Sequence, residues 1–369
     1  MKVLVAGDFC PQNRVTTVFE KEEYSSVFRD VKEIITEADY SIVNFECPIT
    51  KGGEKPIHKN GPNLQCSEKG VKAIKWAGFD CVTLANNHVC DFGGAGVFNT
   101  IEECEKHGID WVGGGRNLEE ASQILYKKIN GKVLAVINCC EHEFSIATDT
   151  AAGSNPLSPI QQYYSIKEAR KNADYILVIV HGGPELFQLP SLRMVETYRF
   201  FIDAGADAVV NHHQHCYSGY EEYHNKPIFY GLGNFCFDKP NKRNGKWNEG
   251  FLLVLNFCES TSFEIVPYQQ CSEKAEITIL AKNAFEIEIE KLNTLITDHN
   301  KLRLAIDKYY SSCAKQYSDI FEPIINRYYL ACKHRGYLPS LISYKRKLKA
   351  ENYICCESHR DKLTWWLCK

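Results

Sequence analysis

Five places in this chain put a side chain able to bind a metal directly after a short apolar run. They are Asp8 after Val3–Ala6, Glu46 after Tyr40–Phe45, Asn87-His88 after Cys81–Ala85, His181 after Tyr175–Val180, and His213 with His215 after Ala208–Val210. Taken singly, each has an ordinary reading. An Asp after a strand commonly closes a turn, and a lone His commonly sits satisfied in a core or at a surface. Five strand ends carrying such groups point instead to shared chemistry. Carboxylates that bridge and neutralise, imidazoles that add affinity and an amide oxygen that completes a shell suit a pair of divalent ions. Two ions roughly 3.5–4 Å apart can activate a water and clamp a phosphoryl oxygen. Mn, Fe and Zn all accept this ligand set.

The element pattern is able to bring these residues together. Strands alternate with helical segments such as Glu22–Ala38, whose Val27, Phe28, Val31, Ile34 and Ile35 recur at helical spacing. A hairpin is expected about Asn130-Gly131, and the Gly-, Pro- and Lys-rich stretch Gly52–Pro62 reads as an exposed loop. This is an α/β arrangement in which the carboxyl ends of strands build a site. After about Lys282 the strand signals stop, and Phe285–Cys313 carries long helical periodicity. A boundary near 275–285 is expected, between a body over residues 1–275 and a helical region over 283–369.

Composition sets the class. The 369 residues hold 44% hydrophobic side chains and 43 Lys+Arg against 46 Asp+Glu, a net charge of −3, which excludes a disordered or fibrous chain. No apolar run approaches the roughly 20 residues that span a bilayer, and MKVLVAGDF lacks the zones of a signal peptide, so the expectation is a soluble cytoplasmic protein without an integral membrane segment. The 17 cysteines include no C-x-x-C, and the doublets Cys139-Cys140 and Cys355-Cys356 lack zinc-site spacing; reduced thiols packed in a core are expected. Charge is unevenly spread: residues 301–369 carry +8 and the rest −11. The acidic body argues against strong nucleic-acid affinity. In the tail, the basic run Tyr344–Lys349 and Trp365-Trp366 suit either an anionic surface or a helical cap packed on the body; the cap is the favoured reading.

At the level of motifs the sequence resembles the CapA family of poly-γ-glutamate capsule synthesis, within the calcineurin-like metallophosphoesterase superfamily. The matching segments are GDFCPQNR (Gly7–Arg14), ADYSIVNFECPIT (Ala38–Thr50), GFDCVTLANNHVCDFG (Gly78–Gly93), VHGGPE (Val180–Glu185), DAGADAVVNHHQHCYSGYE (Asp203–Glu221) and KPIFYGLGNFCFD (Lys226–Asp238). They cover roughly residues 1–260 in family order. The resemblance implies a four-layer α/β/β/α sandwich with two metals at one edge. Asp8 would be the first-metal carboxylate and Glu46 the bridging acid. Asn87 would supply the amide, His181 an imidazole, and His213 and His215 would complete the shells. His88 would face the substrate as general acid or transition-state stabiliser.

The chain departs from the family pattern at three motifs. Cys10 stands where the superfamily's first motif usually has a His, and it is expected to pack rather than ligate; His181-Gly182-Gly183 and His213-Gln214-His215 replace the family's commoner His-Trp-Gly and His-Pro-His. Arg14 could grip a phosphate or carboxylate bidentately, or else form a salt bridge. Glu185 is placed at the substrate wall or as an acceptor for His181, Asp91 as the acceptor that orients His88, and His212 as a bystander. The glycines of Gly231–Phe235 suit a tight backbone path. The reading that results is a metal-dependent phosphoesterase-like hydrolase of capsule or surface-polymer synthesis, taking an anionic polymer or a phosphoester and working with capsule-synthesis machinery. The alternative is an accessory protein that binds polymer without turnover or hydrolyses an amide; a repair-type nuclease ranks last.

Overall fold

The computed structural model describes residues 1–321, 328, 332, 335–337 and 343–367. Its strands, in chain order, are β1 Lys2–Phe9, β2 Tyr40–Phe45, β3 Cys81–Thr83, β4 Asp110–Val112, β5 Gly114–Gly115, β6 Leu125–Ile129, β7 Lys132–Cys140, β8 Gly153–Ser154, β9 Tyr175–His181, β10 Ala208–His212, β11 Tyr220–Tyr223, β12 Lys226–Phe229, β13 Asn234–Cys236, β14 Glu249–Asn256, β15 Ser262–Gln270 and β16 Ile277–Ile279. One sheet runs β16-β15-β14-β1-β2-β3-β4, with β13 also on β1; a second runs β11-β12-β10-β9-β7-β6; β5 and β8 form a small pair. At the centre of the first sheet β1, β2, β3 and β4 are parallel, and at the centre of the second β7, β9, β10 and β12 are parallel. Parallel strands must be covered on both faces, which explains why β1, β2 and β9 read as continuous apolar runs.

Three apolar clusters give the layers. Val3, Val5, Tyr40 and Ile42 of the first sheet pack with Leu134, Val136, Leu177, Ile179, Ala208 and Val210 of the second, so the sheets face one another. Leu4, Val43 and Val82 pack on the other side against Phe19, Phe28, Val31, Val71, Ile74 and Val97 from helices. Ile176, Val178 and Val209 do the same against Ile166, Met194, Tyr198 and Phe201. This is the four-layer α/β/β/α sandwich.

One close approach needs glycine. A Cβ on Gly7 would lie 1.9 Å from the Gly233 carbonyl oxygen, and Gly233 itself has φ +82, so β1 and the Gly231–Phe235 segment can run together only without side chains there. That contact, sealed by the Asp8 amide donating to the Gly233 carbonyl at 3.2 Å, sets Asp8 at the sheet edge.

The structure departs from the sequence expectations in three places. The helix expected over Glu22–Ala38 forms as Ser25–Thr36, and an unexpected helix, Arg14–Glu20, precedes it, the two parted where Glu22 turns left-handed at φ 58. The long periodicity from Phe285 is likewise two helices, Lys282–Thr297 and His299–Phe321; between them Asp298 Oδ1 accepts from the amides of Asn300 and Lys301, both at 3.1 Å. Strands β11, β15 and β16 add edges that periodicity left as loops.

The C-terminal helices, including Tyr344–Cys355 and Glu357–Leu367, pack on the body. Phe285 and Ile289 join the cluster between the sheets, and Ile296, Leu302, Ile306 and Tyr310 join the outer cluster of the second sheet. Trp365 packs there too, its indole nitrogen donating to Asp307 at 2.6 Å. Among the described residues no helix is long and apolar enough to cross a membrane.

Candidate metal centre

The carboxyl ends of β1, β2, β3, β9 and β10 meet at one edge of the sandwich, and the side chains beyond them converge. Asp8 ends β1 with one oxygen accepting from Asn44 Nδ2 at 2.7 Å and the other from the His213 amide at 3.3 Å. His215 Nδ1 lies 3.4 Å from Asp8 and its Nε2 3.6 Å from Glu46. His181 Nε2 lies 3.6 Å from Glu46, 3.1 Å from His213 Nδ1 and 3.0 Å from the Asn87 side-chain oxygen. Two ligand triads result, Asp8–Glu46–His215 and Glu46–His181–His213, with the ligand atoms of each within 4.8 Å of one another. Glu46 belongs to both.

Local backbone strain holds two of these imidazoles in place. His213 and His215 have φ of 89 and 54, a left-handed conformation that costs a non-glycine residue about 1–2 kcal/mol. The loop is pinned from below by Gln214, whose amide donates to the carbonyls of Phe187 at 3.0 Å and Leu189 at 3.2 Å. Such strain at a cluster of ligating groups is a mark of a functional site.

Electrostatics show what the cluster lacks. Both carboxylate oxygens of Glu46 are buried without a hydrogen-bond partner. Burial first, and then the neighbouring Asp8 carboxylate, push Glu46 well above the usual range, while Asp8, despite its own burial, is held low by His215, His212 and His181. Two acids in one dry pocket cannot both ionise unless positive charge joins them. Burial and the proximity of His213 push His181 far down, leaving a neutral imidazole of the kind metals bind. The residues present therefore fit divalent metal: the unsatisfied Glu46 oxygens, the neutral His181 imidazole and the Asn87 amide oxygen share one pocket. There, against burial, the Glu46 and Asp8 carboxylates raise His215 to about 10, a bound proton whose charge a cation would replace.

Similarity to known proteins gives the family. The bacterial capsule synthesis protein family PGA_cap matches residues 2–239. The chain belongs to that family. Among its relatives are a capsule biosynthesis protein CapA of Bacillus anthracis, 34% identical over 65% of this chain and 60% of its own, and a PGA biosynthesis protein CapA of Bacillus subtilis, 35% identical over 63% and 62%. The chain thus spans about three-fifths of the length of these relatives. A 5'-nucleotidase precursor from Thermus thermophilus aligns with 78% of this chain and 57% of its own at 12% identity and a TM-score of 0.39.

Around the centre of this PGA_cap chain the other expected residues divide. His88 lines a cavity of about 320 Å³ beside Asn87 and His213, and its Nδ1 faces Asp91 at 2.6 Å. Asp91 also holds the Leu64 amide at 2.6 Å, so it is placed to orient the ring. Glu185 lines the same cavity with a solvent-exposed side chain. It is not the acceptor for His181, whose nitrogens face Asn44 at 3.2 Å and Asn87. Arg14 is a correction. All three of its guanidinium nitrogens are engaged, with Nε and Nη2 each 2.9 Å from Asp238 and further bonds to the carbonyls of Glu273, Cys271 and Ser272. The bidentate face is spent on Asp238, and Arg14 is absent from the cavity wall. Cys10 is fully buried, and burial raises its thiol, as expected of a packed neutral cysteine.

Four further contributors went unread in the sequence. Asn44 braces Asp8 and His181, and the Asn234 side-chain oxygen lies 2.9 Å from His215 Nδ1. The signal for Asn44 was a polar residue inside the apolar run of β2. Lys59, in the loop read as exposed, has a side chain only 3% exposed and an ammonium on Asp91, with His88 Nδ1 at 3.1 Å. His212, set aside as a bystander, is buried with neither ring nitrogen hydrogen-bonded, and its Nδ1 lies 3.6 Å from Asp8.

Proposed function

We propose that this chain is a divalent-metal-dependent hydrolase of phosphoester bonds in capsule or surface-polymer synthesis, with a metal pair held by Asp8, Glu46, Asn87, His181, His213 and His215. The observation that carries the reading is Glu46, a buried carboxylate shared by two ligand triads and bonded to nothing else. Bound there, the metals supply Lewis-acid polarisation of the substrate and an activated water. The chain's own part is positioning and proton handling. Asn44 and the His213 amide fix Asp8, and Asn234 fixes His215. His88 is the group for the leaving oxygen. Burial, opposed by the Asp91 hydrogen bond and reinforced by Lys59, pushes its imidazole down to about 4, so the ring starts neutral. An anionic group entering the cavity favours the imidazolium, with Asp91 holding Nδ1–H and Nε2 carrying the proton that a departing alkoxide needs.

The cavity, at about 320 Å³, lies at the small end of the range for ligand sites and suits one terminal group of a chain rather than a long segment. The test is metal analysis of the purified chain with phosphomonoesters and phosphodiesters offered after Mn²⁺ or Zn²⁺ loading. Turnover that needs metal and drops about 10²–10⁴-fold in His88→Ala is the expected outcome. A chain that takes up no metal and turns over nothing refutes the proposal.

A second reading rests on a relative named "Probable polyglutamine synthesis accessory protein" from Mycobacterium tuberculosis, 26% identical over 55% of this chain. Under it the same cavity holds the end of an anionic polymer for its synthesis machinery, without turnover or with cleavage of an amide. Cellular polymer production that survives His88→Ala, together with polyanion binding by the purified chain, favours this role over hydrolysis of a phosphoester.

A further inference from the structure

Beside the strand-end centre, the cavity has a second wall that the C-terminal helices supply. Cys356 closes the helix Tyr344–Cys355, and His359 lies three residues on, in the first turn of Glu357–Leu367. Opposite them stands Glu143, in the loop after β7. One carboxylate oxygen, the Cys356 sulfur and one imidazole nitrogen lie within 4.8 Å of one another, and all three residues line the cavity that also holds Asn87, His88 and His213.

The convergence is fixed by its neighbours. Glu357 accepts from the His142 amide at 2.7 Å and pairs with His142 Nδ1 at 2.6 Å. The Ser358 amide donates to Glu141 at 3.0 Å, and Arg193 clamps Glu141 at 2.6 Å and Asp361 at 2.9 Å. The body segment Glu141–Glu143 and the helical segment Cys356–His359 therefore interlock residue by residue. Ligands held this rigidly, from two parts of the chain, meet the requirement of a preorganised metal site.

We propose that Glu143, Cys356 and His359 form a third metal site, separate from the strand-end pair, that takes a zinc-class divalent ion and leaves one coordination position open to the cavity. A thiolate, an imidazole and a carboxylate with a fourth open position is the ligand pattern of zinc sites that bind water or substrate. Binding replaces the proton on the Cys356 sulfur, which leaves to solvent, so no electron transfer is involved. Charge supports the assignment. Burial raises both the Cys356 thiol and the Glu143 carboxyl, a desolvation cost that a cation in their midst offsets. Glu143 and Asn87, whose oxygen faces His181, line the same cavity, so the new site and the strand-end centre open onto one space. An ion there would also tie the C-terminal helices to the body.

The experiment uses the full chain, stripped of metal and reloaded with Co²⁺. A thiolate-to-cobalt charge-transfer band in the near ultraviolet is expected. It should vanish in Cys356→Ser with the loss of one bound ion per chain, and persist in Cys355→Ser. Glu143→Gln and His359→Gln, which keep side-chain volume, should each weaken this ion's affinity at least about 10-fold, since a direct ligand matters no less than an outer-shell partner. They carry the test should Cys356→Ser fail to fold by circular dichroism. A Glu46→Gln chain should keep the band while losing strand-end metal, so the two sites fail separately. A wild-type chain without the band, a band that survives Cys356→Ser, or unchanged affinity in Glu143→Gln and His359→Gln overturns the proposal.

Discussion

Two buried glutamates, Glu46 at the strand ends and Glu141 under the C-terminal helices, are pushed in opposite directions by the same fold. Both are nearly inaccessible to water. At Glu46 burial prevails and the carboxyl is raised, because its neighbour is another acid and no donor reaches it. At Glu141 burial would raise it too, but the charge of Arg193 and the hydrogen bonds from Ser358 and Arg193 hold it down at about 2. The seam gives Glu141 hydrogen bonds and a cationic partner; the strand-end centre gives Glu46 no hydrogen bond. A buried group left without a partner costs about 1–3 kcal/mol, so a fold that keeps one has a use for it. A divalent cation, as proposed, would be that use.

Glu46→Gln should therefore give the widest swing between conditions, with opposite signs without and with metal. Without metal the variant should be more stable by roughly 1–3 kcal/mol, since a neutral amide replaces a poorly solvated acid. With metal it should lose the stabilisation that a ligand present at 100 times its Kd supplies, about 2.7 kcal/mol. Thermal unfolding with chelator and with Zn²⁺ measures both. A variant that is less stable in chelator and still gains from Zn²⁺ would mean that Glu46 is an ordinary structural acid.

At the seam, Arg193→Met should only destabilise. Removing one partner of a buried pair costs about 3–5 kcal/mol, and the partial exposure of Arg193 places it toward the lower end. Denaturation in chelator, followed by Trp fluorescence, reads the loss. Acid should mimic it. Glu141 has a folded pKa below its unfolded one, so its contribution is intact above about 4.5 and disappears as pH falls toward about 2. Unchanged stability in Arg193→Met would show that the helices are held by apolar contacts alone.

The contrast also explains what could be read from sequence. Asp8 and Glu46 follow apolar strands of one sheet and His181 and His213 those of the other; parallel strands within each sheet end at one edge, and the face-to-face packing of the sheets joins the two pairs. Alternating strands and helices gave the α/β class, and the family motifs added the four layers. The seam obeys no such rule. Glu141–Glu143 and Cys356–His359 lie more than 200 residues apart, neither has a repeat or a strand end to announce it, and the Cys355-Cys356 doublet has no zinc spacing of its own. Lys59 escaped for a related reason: a loop rich in Gly and Pro reads as exposed, and only tertiary packing shows that one ammonium turns inward to Asp91. Arg14 is the converse, a residue whose chemistry suits phosphate but whose bidentate face the fold has already given to Asp238.

Arg14→Lys separates those two readings of Arg14 with a smaller effect. A lysine cannot reproduce the paired contacts with Asp238 while also reaching the Cys271, Ser272 and Glu273 carbonyls. A loss of about 1–2 kcal/mol in stability, with KM for a phosphoester unchanged, is expected from broken charge-assisted bonds. A raised KM at unchanged stability would return Arg14 to the substrate.

The smallest effect tests whether the seam is electrostatically tuned at neutral pH as well as in acid. The hydrogen bond to Glu357 raises the His142 imidazole above its ordinary value, with partial burial opposing. A raised folded pKa means that the folded state binds the proton more tightly. Its contribution is then complete below the unfolded pKa, about 6.5, and is lost as pH rises through the folded value. Because His142 is 39% exposed in its side chain, solvent screening limits the gain to under about 1 kcal/mol. In chelator, which removes any bound metal, the wild-type melting temperature should fall slightly from about pH 6 toward about pH 9. Glu357→Gln should flatten that slope, since the amide cannot favour the imidazolium. A slope that persists unchanged in Glu357→Gln would assign the pH dependence to the strand-end imidazoles and leave the seam stabilised by Arg193 and apolar packing.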